Sequence, residues 1–297
     1  MQLGINNNLK KNLFLLCEKM GIHFTPVHYE SPIPDTRELK ESVFKTQSQM
    51  VGVDMNEQYQ FELLDLFSSR YKKEYDNFPK NKTRVPHQYY LTNPHFKAVD
   101  AEILYCMIRY FKPKRIIEIG SGDTTYLNAQ AIQKNLEASQ ECELTAIEPH
   151  PNSILRGGFP GLSKLISKKV QDVPLSEFSN LTENDILFID SSHVLKIGGD
   201  VQYEMLEILP RLKNGVLVHF HDIFLPHEYP HNWVLENLRF FNEQYMVQAF
   251  LAFNNSFKVE WAGCYMGLRY SKKLENAFGS YDRNKICPGS FWIRKTK

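Results

Sequence analysis

Two acid and histidine groups stand out because each closes an apolar run. Asp190 ends DILFID, His221-Asp222 ends VLVHFHD, and His193 lies three residues beyond Asp190. If the two runs are neighbouring parallel strands, these side chains meet in the cleft outside the strands' carboxyl ends, where open α/β sheets bind ligands. Two carboxylates and an imidazole so placed form a facial set able to hold a divalent metal, and His219, two residues before His221 on the same strand face, is a further nitrogen. The plainer alternative is a group of hydrogen-bonded side chains lining a pocket. His193 is the candidate general base, because a neutral imidazole removes protons near neutral pH. Its alternatives are to fix the loop or to ligate the metal itself.

A second constellation lies upstream. Glu118-Ile119-Gly120-Ser121-Gly122 stands between an apparent strand and a helix, where glycines let the backbone turn sharply and approach a ligand at the helix N-terminus. A dinucleotide fingerprint would have its third glycine at 125, where this chain has Thr125, which argues against a nicotinamide cofactor. The next strand ends in Glu148, a carboxylate placed to accept hydrogen bonds from both hydroxyls of a ribose. Gln171 and Asp172, after the third strand, are placed to contact an adenine. The plain alternative is a tight turn whose acid caps a loop.

Holding these residues on one edge takes alternating strands and helices, and the chain has them from Phe96 onward. The pattern reads as a helix ending before Pro113, the strand RIIEIG, a helix over Thr125 to Ala138, the strand LTAIE and a short strand near Lys169 to Gln171. Then come DILFID, a helix over Tyr203 to Leu212 with Asp200 as its N-cap, and GVLVHF. VLENLRFFNEQYMVQAFLAF reads as one long helix, and FKVEWAG and SFWIRK as strands pairing antiparallel across a long connection. Such alternation implies right-handed crossovers and a doubly wound, mostly parallel α/β sheet. Residues 1–90 lack it and read as a helical N-terminal extension or lid, with helices through Met20 and around Asn56 to Tyr75 and a helix start capped by Asp35 or Thr36. NFPKNKTRVPHQ is the candidate linker to a domain over 91–297. Within the rigid aromatic segment IFLPHEYPHNW, Tyr229 and Trp233 are candidates for a substrate wall.

Bulk properties narrow the partners. With 297 residues, 42% hydrophobic, the chain carries a large core. Its 35 basic and 34 acidic residues nearly cancel, which gives no field for a nucleic-acid backbone or an anionic membrane and points to a small molecule or a protein. No apolar run reaches the roughly 20 residues needed to span a bilayer, and the start lacks a signal-like segment, so a cytoplasmic location is expected. The five cysteines are scattered and never form a CxxC pair, which indicates neither a disulfide framework nor a thiolate zinc site.

Taken in order, EIGSGDTT, TAIEP, VQDVP and ILFIDSSH resemble the successive motifs of class I S-adenosylmethionine-dependent methyltransferases, over Phe96 to Lys297. Within that class the chain is similar to catechol-type O-methyltransferases and to bacterial methyltransferase domains with FIDSSH-like and HxHD-like segments. The resemblance implies a Rossmann-like seven-stranded sheet with S-adenosylmethionine held by Glu118, Gly120, Ser121, Gly122, Glu148, Gln171, Asp172 and Asp190. It also implies a metal at Asp190, His221 and Asp222, where catechol-type enzymes hold magnesium through three oxygens. The imidazole here shifts the preference toward manganese, iron, cobalt or zinc. His193 matches the position of that family's lysine base, and Asp190 and His193 are the expected catalytic pair. The expected reaction is methyl transfer to an O or N nucleophile of a small molecule, with or without a metal. A cofactor-binding scaffold acting through the N-terminal helices, or a metal-dependent hydrolase or oxygenase on the same fold, are the competing readings. A lid-like extension is compatible with a homodimer.

Overall fold

Central strands of a sheet covered on both faces have no water-facing side, so their sequences stay apolar throughout. β1 (Arg115–Ile119), β4 (Ile186–Ile189) and β5 (Leu217–Phe220) are apolar apart from Arg115 and the buried Glu118 and His219, and only Arg115 among them is exposed. β2 (Glu143–Ile147) and β3 (Lys164–Ile166) extend the sheet on one side, and β6 (Phe257–Ala262) and β7 (Phe291–Lys295) on the other. In this computed structural model, which describes residues 7–297, the order is β3-β2-β1-β4-β5-β7-β6. All strands run parallel except β7, which is antiparallel to both of its neighbours.

Register decides what the strand ends bring together. Ile119 pairs with Ile147 and Ile189, and Ile189 pairs with Phe220, so the next residues, Gly120, Glu148, Asp190 and His221, leave the sheet along one edge. At the opposite end the buried Asp185 accepts from the amides of Lys114 and Arg115 and thereby aligns the starts of β4 and β1.

The chain forms two compact units. One comprises residues up to Phe44 together with Pro230–Phe240. It contains α1 (Asn7–Lys19), most of α2 (Glu41–Lys45), and α10 (His231–Leu235), and in it Glu41 bonds His231 Nε2 at 2.9 Å. The other unit comprises Lys45–Tyr229 and Phe241–Lys297 and holds the whole sheet. Its helices begin with α3 (Glu57–Arg70), α4 (Lys72–Tyr75), α5 (Asp100–Phe111) and α6 (Asp123–Leu136). The short α7 (Ser153–Gly157), α8 (Leu175–Ser179) and α9 (Asp200–Tyr203) follow, the last continuing as a π turn over Glu204–Ile208. α11 (Glu243–Leu251) and α12 (Gly263–Ala277) complete it, α12 lying in the β6 to β7 connection. α5 is buried from Asp100 through Ile108. Each of its Leu and Ile side chains contributes roughly 1.5–3 kcal/mol of burial.

Several local expectations change. The boundary between the two compact units falls at Phe44, and α3 and α4, within residues 1–90, are bonded into the sheet unit. Asn56 Nδ2 donates to Val259 O (2.9 Å), Gln60 Oε1 accepts from Ala262 N (2.8 Å), and Glu74 pairs with Arg109 (2.8 Å). Asp35 closes a local turn with Arg37 instead of starting a helix. The third strand lies at 164–166, and Val170–Asp172 is a 3-10 turn. The single long helix expected after Trp233 is two short ones, α10 and α11. Among the described residues no helix is long and apolar enough to cross a membrane.

Candidate active site

The β1–β2 half of the edge is built largely from backbone. Gly120 has φ +77°, and a Cβ there would sit 1.8 Å from the carbonyl oxygen of Asp190, so only glycine lets β1 and β4 end this close. Gly122 N donates to Thr125 Oγ1 (3.0 Å), so the residue in the third-glycine position caps the start of α6. Ser121 N (3.2 Å) and His150 N (2.7 Å) donate to the two oxygens of Glu148 and hold that carboxylate in place. A cavity of about 340 Å³ opens here, lined by Gly120, Glu148, Gln171, Asp190, Lys196 and Asp200 among others. Gln171 Nε2 is fixed by Gly198 O at 3.1 Å. Asp200 is no N-cap; it accepts from Ser192 N and Ser192 Oγ and so ties down the loop after Asp190.

Other expected cofactor residues sit differently. Glu118 is fully buried, bonded by Thr124 Oγ1, and does not line the cavity. Burial pushes its carboxyl up to about 8, so it is a largely protonated support beneath the turn. Asp172 is exposed and outside the cavity lining. Ser121 and Gly122 stand at the start of α6, and Ser121 Oγ is buried with no hydrogen-bond partner among the described residues.

The β4–β5 half is built from ionisable side chains. His193 Nε2 lies 3.3 Å from Asp190 Oδ1 and 3.6 Å from Asp222 Oδ2, and His221 Nδ1 lies 3.3 Å from Asp190 Oδ1 and 3.5 Å from Asp222 Oδ1. His193 (φ 58°) and Asp222 (φ 56°) both occupy left-handed backbone, a costly conformation for non-glycine residues that clusters at functional sites. The His193 carbonyl accepts from the amides of Asn242 (3.0 Å) and Glu243 (3.2 Å), which holds it there. Behind His193 is a group not anticipated from sequence. Glu243, 1% exposed at the start of α11, places Oε2 2.8 Å from His193 Nδ1. Glu204, fully buried on the π turn, accepts from Ser191 Oγ at 3.0 Å. Burial, reinforced by the negative charge of Glu243, holds Glu204 protonated. The one sequence signal for either was an acid inside an otherwise apolar helical pattern.

At Asp190, His193 and His221 mutual attraction outweighs the burial that disfavours their charges, whereas at Glu243 burial raises the carboxyl. Against burial, the His221 charge and hydrogen bonds from His193 and His221 hold Asp190 well below the usual carboxylate range. Against burial, Asp222 and Asp190 lift His221 to about 9. Hydrogen bonds to Asp190 and Glu243 likewise raise His193 well above the ordinary imidazole value. The environment therefore favours an imidazolium at His193, not the neutral ring expected. His219 is not in the site. It is fully buried, stacked on Phe188 (centroids 4.0 Å apart), with Nε2 3.1 Å from Ser290 Oγ. Burial and the His221 charge push it well below 6.5, so it stays neutral as a core residue.

The expected triad of Asp190, His221 and Asp222 is brought together, but as ion pairs. His221 Nδ1 and His193 Nε2 are both turned toward the carboxylate oxygens that would have to bind the metal. Among the described residues no group of three His, Cys, Asp or Glu side chains is arranged to hold an ion. In this arrangement the Asp190 and Asp222 oxygens are engaged by His193 and His221.

Comparison with known proteins places the chain. Residues 117–223, from Ile117 to Ile223, match the family model described as a methyltransferase domain. An uncharacterised protein of Archaeoglobus fulgidus is 34% identical over 176 residues, covering 57% of this chain and 78% of that protein. Similar solved structures include the plantazolicin methyltransferase BamL in complex with a triazolic analogue and SAH, 14% identical, covering 82% of this chain and 100% of that one with a TM-score of 0.40. An O-methyltransferase from Bacillus cereus in complex with SAH is 12% identical, covering 81% and 91% with a TM-score of 0.37. The chain belongs to the family of this archaeal relative and carries a methyltransferase domain over residues 117–223.

Proposed function

We propose that this methyltransferase acts on an O or N nucleophile of a small molecule, bound outside β4 and β5, with His193 as the base and Glu243 as the residue that positions it. The observation that carries the reading is the double role of Asp190, which lines the cavity and is paired with both His193 and His221. The residues present fit S-adenosylmethionine: Glu148 faces the cavity with its carboxylate fixed by two amides, and the buried Ser121 hydroxyl lacks a partner. When bound, that cofactor supplies a methyl group made electrophilic by the attached sulfonium.

Glu148 would accept hydrogen bonds from the ribose hydroxyls, and the N-terminus of α6 would favour the anionic end of the cofactor. Glu243 takes the Nδ1 proton of His193 in a hydrogen bond and leaves Nε2 to receive the acceptor's proton. A positive charge entering beside Asp190 competes with His193 for that carboxylate and draws the imidazole down toward neutral pH. Positioning and charge complementarity then account for most of the acceleration. No metal is needed for these roles.

Calorimetric titration with S-adenosylhomocysteine in the presence of EDTA tests the reading. Micromolar binding is expected, weakened roughly 10- to 100-fold in Glu148→Ala by loss of charge-assisted hydrogen bonds. Absence of binding by the wild-type protein would sink the assignment of the cavity, and binding restored only by added manganese or zinc would return Asp190, His221 and Asp222 to a metal.

A further inference from the structure

Two of the five scattered cysteines are neighbours in space. Cys264, 1% exposed, is the second residue of α12; Cys287, exposed, lies in the segment leading to β7, and their sulfurs are 3.3 Å apart. A disulfide has an S–S length of about 2.05 Å, so an approach of about 1.2 Å would close the bond. The turn that follows Cys287 is wired to the site. Gly289 O accepts from Ile223 N (2.9 Å), Gly289 packs against Asp222 so tightly that a Cβ would lie 3.3 Å from its Cα, and Ser290 Oγ bonds His219 (3.1 Å). The buried carboxylate of Asp100 accepts from the amides of both Gly289 and Ser290, and Gly263 N donates to Ser290 O.

We propose that Cys264 and Cys287 form a reversible dithiol–disulfide pair that responds to hydrogen peroxide and, when closed, stiffens the 288–290 turn behind Asp222. The accessible Cys287 is the attacking sulfur. A hydrogen bond from Cys264 draws its thiol down, while that same bond and burial hold Cys264 up as a thiol. Cys287 thiolate attacks one peroxide oxygen; the S–O bond forms, the O–O bond breaks, and the departing hydroxide takes a proton to become water. Cys264 sulfur then attacks the sulfenic sulfur; the S–S bond forms, the S–O bond breaks, and the Cys264 proton leaves with hydroxide as a second water. Peroxide gains two electrons and the two thiols lose them. Thiol reductants reverse the bond.

The test is peptide mapping of the full chain after brief exposure to a few equivalents of peroxide, with amide exchange followed in parallel. The expected result is a Cys264–Cys287 cross-linked peptide, undone by dithiothreitol, with several-fold slower exchange of the Ile223 amide. In Cys264→Ser, oxidation should stop at a sulfenic acid on Cys287 that dimedone traps. Over-oxidised Cys287 without the cross-link in wild-type protein, or cross-links to other cysteines instead, would overturn the proposal. So would zinc that co-purifies with the protein and is released when Cys287 is alkylated. The wild-type map decides even if the serine variant does not fold.

Discussion

The two halves of the strand edge, proposed to hold a ligand above the sheet, are built by different means. At β1 and β2 the work falls to backbone: a glycine with no room for a methyl group, the amides of Ser121 and His150, and one carboxylate that they fix. At β4 and β5 it falls to Asp190, His193, His221, Asp222 and Glu243, all within ion-pairing distance of at least one other member. The first half is limited by space and the second by charge. Except at Glu148, a substitution that keeps volume but removes charge should therefore leave the first almost untouched and disturb the second.

The largest effect is expected at Gly120. Gly120→Ala forces a Cβ onto the Asp190 carbonyl and a strained φ, which together cost several kcal/mol, on the order of 1–3 for overpacking and 1–2 for the left-handed backbone. S-adenosylhomocysteine binding by calorimetry should vanish or the protein should fail to fold; wild-type affinity in a folded variant would break the idea of a backbone-built half.

A smaller, more selective effect is expected at Glu243. Glu243→Gln keeps an acceptor for His193 Nδ1 but removes the charge that stabilises the imidazolium, so the His193 pKa should fall in an NMR titration. The rate of methyl transfer to an acceptor found by screening should rise with pH in the wild-type protein as His193 loses its proton. In the variant that rise should move to lower pH. An unchanged His193 titration would reduce Glu243 to a packing role.

The smallest effect concerns Glu118. Its carboxyl is raised from 4.5 to about 8 in the folded chain, so the stability linked to its proton is fully present below 4.5 and is lost as pH rises through 8. Glu118→Gln cannot titrate, and across that window its melting temperature should gain on the wild type. Each kcal/mol gained would appear as roughly 2–4 °C. Parallel melting curves from pH 4.5 to 8 would show that Glu118 is ionised and paired after all.

What was readable in the residues was mostly local. The Gly120 turn, the acid at the end of β2 and the acid–histidine groups ending β4 and β5 are set by strand ends and short turns, which leave their pattern within a few consecutive residues. Glu243 left no such pattern, because its partner is fifty positions away and only the fold brings α11 to His193. The same tertiary demand shapes the break before α11: Asn242 is used to hold the 193–195 loop, its Oδ1 accepting from Leu195 N at 2.6 Å, so the helical periodicity there is overridden. His219 misleads for the opposite reason. Alternation assigns it to the face of His221, but the faces of a central parallel strand are both buried, and a polar residue on one signals packing as readily as chemistry.

The place of β7 has a consequence for how the molecule comes into being. It is the last strand in chain order yet an interior one, hydrogen-bonded to β5 on one side and β6 on the other. During synthesis β5, which presents the residues leading into His221-Asp222, keeps an unpaired edge until residue 295 has left the ribosome, and β6 has no partner at all. The edge that presents His221-Asp222 is therefore completed only once β7 has been made, and until then edge-to-edge pairing of β5 and β6 is the hazard.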